Sequence, residues 1–322
     1  MFTLGDTKEF LRYLQAKGLK GIEAMIQFLN NIQYPSRLKH VRLDTGPNHL
    51  DPATAGFAFR LLERLRYEGI EFVIAFPHRT PEGVLITTKD MAEKEYLRLL
   101  GCGLDWYHDF SITLNEPWSN EGLTPEQTKQ LLLWYCEIAS TGTDSIILPI
   151  PPTDGPTKYK PFYEPKNLEN YPVDIHLYYR HKCPPGMAKW FQRGLEIVKE
   201  QQVRGVEVHC SECNAFIYND AGEIIWNVGG NKTSVALIAA VVGQVSEAIG
   251  CPCFHMLVGH SINSFSLFSP DEDEEANYKN ALQELFLHGP DTCLEVLGVE
   301  YKEDTSKIIP SDEMIKEMEV RP

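Results

Sequence analysis

Apolar positions in the first half of the chain fall at helical spacing, broken by short continuous runs. Asp6 and Glu9 form a capping pair ahead of Phe10, Leu11 and Leu14, and Ile22, Met25, Ile26 and Leu29 repeat every three to four residues. Both patterns predict amphipathic helices. Asp51 and Pro52 open a third helix through Leu61, Leu62 and Leu65, which Gly69 closes. The run from Ile70 to Phe76, stopped by Pro77, has the length and composition of a buried strand. Further helices are expected from about Asp90 to Leu100, and from Thr124-Pro125, with Gln127 at the capping-box position, through Leu131 to Ile138. Asp144 to Ile150 reads as a second buried strand.

The pattern then changes. Seven of the 21 prolines lie between Pro149 and Pro172, which predicts a long extended connection over residues 151–172. Beyond it, Val173, Ile175, Leu177 and Tyr179 alternate as in a strand, and a helix is expected from about Met187 to Gln201. Val206 to Val208 begins another strand. Phe216-Ile217-Tyr218 and Ile224-Ile225-Trp226, joined by Asn219-Asp220-Ala221-Gly222, form the clearest hairpin in the sequence. A nearly all-apolar helix should span about Lys232 to Ala248, followed by a strand near Phe254 to Val258, and the acids from Asp271 to Glu275 front a last helix. These elements predict an α+β fold, a mixed sheet with packed helices. It divides into an N-terminal half (1–150), the proline-rich connection, and a C-terminal half (173–322) with hairpin and buried helix.

Composition narrows the class. With 322 residues, 43% hydrophobic and 23% charged, the chain can bury a core and is neither disordered nor fibrous. No apolar run approaches the roughly 18 residues of a membrane span. The first residues lack a basic segment followed by an apolar one, so a cytoplasmic protein without a secretory signal is expected. Thirty Lys and Arg against 45 Asp and Glu give a net charge of −15. Such a chain should repel duplex nucleic acid and anionic membrane.

Eight cysteines in this context point to reduced thiols rather than a disulfide framework. Cys102, Cys136 and Cys293 read as small buried hydrophobes. Cys183, in Arg180-His181-Lys182-Cys183-Pro184-Pro185, lies between a strand and a helix among three basic neighbours. That setting stabilises a thiolate and makes it a candidate nucleophile. His209-Cys210-Ser211-Glu212-Cys213 has the look of a zinc knuckle. Cys251 and Cys253, with His255, could complete a zinc site, or these strands simply carry small thiols. Gly229-Gly230-Asn231-Lys232-Thr233-Ser234, between a strand and a helix, is placed as an anion-binding turn or an ordinary cap. Arg37, Lys39, His40 and Arg42 form a small basic cluster, which either contacts a phosphate or is a solvated face.

Several stretches together resemble the thymidylate synthase superfamily of pyrimidine nucleotide methylases and hydroxymethylases. Asn231-Lys232-Thr233-Ser234-Val235-Ala236-Leu237, then Phe254-His255-Met256-Leu257, is similar to that family's Asn-x-x-Ser-x-Ala-Leu helix and following strand. Leu85-Ile86-Thr87-Thr88-Lys89, Leu123 to Leu133, Cys293 to Leu297 and Met314 to Met318 are similar to other family segments in the same order. The resemblance implies a C5 methyl- or hydroxymethyltransferase with Cys183 as nucleophile and Asn231 as the pyrimidine-reading amide. Arg180, Arg193, Gly229, Gly230, Ser234 and His255 would contact substrate, with methylene-tetrahydrofolate as cofactor and a homodimer as assembly. The competing expectations are a zinc-stabilised binding module on Cys210, Cys213, Cys251 and Cys253, and a catalytically silent nucleotide sensor built on the Gly229-Gly230 turn.

Overall fold

The computed structural model describes residues 2–4, 40–46, 71–104, 110–119, 121–152, 157–164, 171–181, 185–218, 221, 223–227 and 253–258. Nine strands lie among them: β1 (Phe2–Leu4), β2 (His40–Asp44), β3 (Glu71–Phe76), β4 (Phe110–Leu114), β5 (Leu148–Ile150), β6 (Val173–His181), β7 (Val208–Tyr218), β8 (Ile224–Asn227) and β9 (Cys253–Val258). They form one sheet in the order β4-β3-β2-β1-β9-β7-β6-β5, and β8 pairs antiparallel with β7 outside that path. Every pairing along the path is parallel.

The two ends of the path meet. Ile112 in β4 bridges Ile146, just before β5, in parallel fashion, and the Ile147 N–H donates to the Ile112 carbonyl at 2.9 Å. The sheet therefore closes on itself as an eight-stranded parallel barrel whose strands follow chain order around the ring. Eight parallel strands in ring order are the strand arrangement of a (β/α)8 barrel, and three connecting helices lie among the described residues. This barrel replaces the expected α+β mixed sheet of thymidylate-synthase type. The expectation failed because parallel strands need crossovers, and a sequence of strands separated by helices serves an open mixed sheet and a closed barrel alike.

Three helices are described: α1 (Lys89–Gly101), α2 (Pro125–Ala139) and α3 (Pro185–Val203). Each follows a strand, β3, β4 and β6 in turn. Thr88 caps α1 by accepting from the Met91 N–H at 3.3 Å. Thr124 and Gln127 form the expected capping box on α2, with Pro125 in its first turn and Ser140 in the left-handed conformation at its end. The apolar stripe of α2 (Leu131, Leu132, Tyr135, Cys136) is buried, as are Cys136 and Cys102 themselves. Two contacts tie the helices to the upper ends of the strands. The Tyr135 hydroxyl donates to the Pro77 carbonyl at 2.9 Å, and its ring lies 4.5 Å from Phe76. Arg98 donates to the Thr45 carbonyl at 3.2 Å, fixing the end of β2.

The alternation along β6 assigns the two faces of the barrel wall. A Cβ on Gly194 of α3 would come within 2.6 Å of Leu177 Cδ2, so Leu177 faces outward against that helix. Asp174, His176 and Tyr178, at the other positions, reach groups on β2, β4 and β7 across the interior. The expected strand over Asp144 to Ile150 divides into a short 3-10 turn (Thr143–Ser145) and β5, while Val206 to Val208 leads into β7, the first hairpin strand. Part of the proline-rich connection forms a 3-10 helix, Thr157–Tyr163. The helices expected near residues 6–14, 22–29, 51–65, 232–248 and after 275 lie outside the described residues.

Gly194→Ala tests the approach of α3 to β6. Alanine raises helix propensity by about 1 kcal/mol, but the contact with Leu177 should cost more, about 1–3 kcal/mol for an overpacked core. A lower urea midpoint is expected. A higher one would show that the helix does not press on Leu177.

Candidate active site

The chemistry-bearing side chains gather in the barrel interior, from within β2, β6 and β7 and from just past the C-terminal end of β4. At their centre is Arg42 of β2, fully buried. Its Nε donates to Asp44 Oδ1 at 3.0 Å, and one terminal nitrogen lies 2.9 Å from the same oxygen. That nitrogen also donates to Asn115 Oδ1 at 2.8 Å. The other terminal nitrogen bonds His176 Nε2 at 2.9 Å and the Ser211 hydroxyl, and lies 3.8 Å from Asp174 Oδ2. β2 is a sheet neighbour of neither β6 nor β7, so these bonds cross the barrel interior. Burial opposes the guanidinium's charge, but Asp44, Asp174 and Glu212 outweigh it and hold Arg42 firmly protonated.

Two glutamates face each other beside this cation. Glu116 is the second residue past β4, and Glu212 lies on β7. Glu116 Oε1 is 3.2 Å and Glu212 Oε2 3.5 Å from the same atom, Nδ1 of His176. Those two oxygens are therefore separated by no more than about 6.7 Å. Glu212 is the more enclosed, its side chain 13% exposed against 38% for Glu116, and it accepts a hydrogen bond from the Tyr178 hydroxyl. Burial and the charge of Glu212 push the Tyr178 phenol well above its ordinary value, so it remains a donor.

Glu116 has φ of +41°, a left-handed conformation unusual for a residue with a side chain. The turn that holds it is pinned: Ser119 donates to the Glu116 carbonyl through its N–H (3.0 Å) and hydroxyl (2.9 Å), and the Leu123 N–H donates to Pro117 at 2.7 Å. Gly122 permits this closure, because a Cβ there would stand 1.9 Å from the Pro117 carbonyl oxygen. Such conformations persist where the surroundings over-determine them, commonly at functional sites. Trp118, buried beside Glu116, meets Phe162 and Tyr159 edge-on at 5.6 and 6.4 Å. Tyr159, from the β5–β6 connection, thus lies near Glu116. The Tyr159 phenol is pushed up by burial and by the charge of Glu116.

Hydrogen-bond bookkeeping fixes the imidazole's state. Burial lowers the His176 pKa, while Glu212 and the bond to Glu116 raise it more, to about 9. The contact at Nε2 points the other way. Arginine has only donors, so a 2.9 Å bond to Nε2 requires that nitrogen's lone pair. A second ring proton would set donor against donor. The geometry decides for the neutral ring, with Nε2 accepting from Arg42 and Nδ1–H donating to Glu116. For Glu116, burial raises the carboxyl pKa, but the His176 bond and the charge of Arg42 outweigh it and leave it below the ordinary value. His78, just past β3, is held near 4 by burial and Arg79, against the pull of Glu116.

The residues singled out in the sequence are distributed differently. Cys183, Gly229, Gly230, Asn231, Ser234 and Cys251 lie outside the described residues. Arg180 sits in β6, Cys213 in β7, and Cys253 and His255 in β9; their side chains also lie outside the description. Cys210 is buried on β7, in register with Cys253, and its thiol donates to the Glu212 carbonyl at 3.4 Å. Arg193 is on α3, paired with Glu196 at 3.1 Å and Glu200 at 2.7 Å. Arg42, assigned to a phosphate-binding or solvated basic cluster, is instead buried in the barrel. Glu116, His176, Tyr178 and Asp174 were passed over. Their signal was a polar residue at every second position of an otherwise apolar strand, together with a glutamate two residues beyond β4.

No protein-family model and no curated protein matches the chain. Solved structures that resemble it include an endo-β-1,4-glucanase from Xanthomonas axonopodis pv. citri (9% identity, 81% of this chain and 90% of that one, TM-score 0.46). A family 10 endo-β-1,4-xylanase from Gloeophyllum trabeum matches with 10% identity, 81% and 93% coverage and a TM-score of 0.47. A β-mannanase from Streptomyces thermolilacinus matches with 14% identity, 80% and 82% coverage and a TM-score of 0.45. Likenesses at this level establish no activity, and the fold rests on the strand order and its closing bridge. The thymidylate-synthase resemblance is nevertheless corrected. A closed parallel barrel is not that family's fold, so the transferase and nucleotide-binding readings fall with it, as does methylene-tetrahydrofolate. The silent nucleotide sensor has no support in the described barrel mouth. The zinc-bound module likewise has no support: among the described residues no group of three His, Cys, Asp or Glu could hold a metal ion, and Cys251 and the side chains of Cys213 and Cys253 lie outside those residues.

Two measurements check the electrostatics. Nitrogen-15 spectra at pH 7 should show His176 with one protonated and one bare ring nitrogen; two protonated nitrogens would contradict the Arg42 bond. His78 near 4 when folded, against about 6.5 when unfolded, means that between these values the unfolded chain holds the extra proton. Its contribution to stability is whole above pH 6.5 and is lost as the pH falls toward 4. His78→Gln should reduce the drop in urea midpoint between pH 7 and pH 4.5. An equal drop in both proteins would contradict the assignment.

Proposed function

We propose that this protein is a glycoside hydrolase that retains anomeric configuration, with Glu212 as nucleophile and Glu116 as acid/base. The observation that carries the reading is the pair of glutamates, one just past β4 and one on β7, sharing one imidazole nitrogen. Glycosidases of both stereochemical kinds flank the scissile bond with two carboxyl groups, about 5–5.5 Å apart in retaining enzymes and about 6.5–9.5 Å apart in inverting ones. A ceiling of about 6.7 Å between the near oxygens lies against the bulk of the inverting range, which must leave room for a water.

The surroundings divide the roles. Glu212, enclosed, bonded by Tyr178 and in the field of Arg42, is kept as a localised carboxylate suited to attack the anomeric carbon. Glu116, more open and near Tyr159, is placed to protonate the departing glycosidic oxygen once substrate displaces the His176 bond that holds its carboxyl below the ordinary value. Glu212 then carries the sugar as an ester. In the second step Glu116 takes a proton from water, which attacks the same carbon and frees Glu212. Neutral His176 serves both halves: its Nδ1–H steadies Glu116 without delivering a full positive charge that would oppose protonation. The half-buried Tyr159 ring, near enough to Glu116 to feel its charge, suits the apolar C–H surface of a sugar ring, so a saccharide on the leaving-group side fits the same arrangement.

Hydrolysis of aryl β-glucosides, β-xylosides and β-mannosides and of the corresponding β-1,4-glycans tests the reading. Glu116→Gln and Glu212→Gln should each lower kcat by about 10²–10⁴-fold in whichever reaction is found. An active Glu212→Gln enzyme, or turnover of none of these glycosides by the unaltered protein, would refute it.

A further inference from the structure

β7 contains an irregularity that a plain strand would not tolerate. Between the register pairs Asp174–His209 and His176–Glu212 it holds one residue more than β6, and the pairing with β9 slips over the same stretch, between Cys210 and Cys213. This is a β-bulge. Consecutive residues of a regular strand face opposite sides, yet Ser211 and Glu212 both reach the interior, the first to Arg42 and Asp174, the second to Tyr178 and His176. The bulge makes this possible, and it interrupts the ladder where the chain is buried. Ser211 is only 2% exposed, and a buried N–H without an acceptor is costly.

Asp174 supplies that acceptor. Its Oδ1 accepts the Ser211 backbone N–H at 2.9 Å and its Oδ2 accepts the Ser211 hydroxyl at 2.5 Å. The hydroxyl in turn accepts from Arg42, whose guanidinium lies 3.8 Å from Asp174 Oδ2. A single carboxylate on β6 thereby holds both the backbone N–H and the hydroxyl of Ser211 and ties the bulge to the central cation. We propose that Asp174 is a positioning residue: it holds the β7 bulge through Ser211 and so sets where the Glu212 carboxylate stands. That Glu212 is a nucleophile rests on the function proposed above; that Asp174 holds the bulge does not.

Two readouts keep these apart. The first is hydrogen exchange of the Ser211 amide, which needs no substrate. Asp174→Ala should speed it roughly ten- to a hundredfold, as expected for a lost bond to a charged acceptor. Asp174→Asn, which keeps one acceptor oxygen and much of the shape, should have a smaller effect. The second is the rate at which 2-deoxy-2-fluoro-β-glucosides, -xylosides and -mannosides label Glu212, followed by mass spectrometry. That rate should fall in the order wild type, Asp174→Asn, Asp174→Ala, with kcat dropping in parallel and KM changing less than about twofold, since no ground-state contact is lost. Unchanged Ser211 exchange in both variants would overturn the clamp. Faster exchange with unchanged labelling would overturn its bearing on Glu212. No label on the wild type, with faster exchange in the variants, would support the clamp and remove the glycosidase reading alone. Should Asp174→Ala not fold, Asp174→Asn carries both readouts.

Discussion

A guanidinium cannot sit inside a protein without compensation, and Arg42 sits in the middle of this one. The cost of removing the charge from water is met only if carboxylates and acceptors converge on it. Here they come from four strands: Asp44 beside it on β2, Asn115 past β4, Asp174 and His176 on β6, and Ser211 on β7. Because β2 stands across the barrel from β6 and β7, satisfying this one side chain fixes distances that the sheet hydrogen bonds leave free. The site's geometry is therefore largely a consequence of pairing a buried cation.

From that hub the order of effects runs outward. Arg42 consumes the lone pair of His176 Nε2 and so leaves the imidazole proton on Nδ1, facing both glutamates. Asp174 and Ser211 fix the bulge that turns Glu212 inward beside it. Tyr178, next along the same face of β6, supplies the donor that localises Glu212's charge. Glu116 arrives from a strained turn secured by Ser119, Leu123 and the close approach at Gly122. The outer shell, Tyr135 on Pro77 and Arg98 on Thr45, holds the C-terminal ends of β3 and β2. Polar networks of this kind are effective only when every member is satisfied.

What the sequence made legible follows from its physics. Local signals held: the capping box at Thr124, the helix after Thr88, the apolar strand ending at Phe76 and the hairpin after Phe216 are set by neighbours in the chain. Barrel closure is not, because it depends on β4 meeting the start of β5, which no local pattern records. The short strands β1, β2 and β4 escaped notice because a few residues carry little periodicity. The site was missed for a related reason. In an open sheet, the apolar set Val173, Ile175 and Leu177 marks the buried face and its polar alternates mark solvent. In a barrel both faces are buried, so Asp174, His176 and Tyr178 become the interior. His209-Cys210-Ser211-Glu212-Cys213 drew attention for its thiols, while its chemistry lies in the serine and glutamate between them.

The account stands on two carboxylates held close enough for a covalent route through Glu212. Proton NMR of the first sugar released from a β-linked substrate, recorded before mutarotation, reads that route directly. A β-anomer as the initial product agrees with two successive displacements at the anomeric carbon. An α-anomer would mean a single displacement by water, a wider working separation of Glu116 and Glu212, and a different role for the Arg42 network.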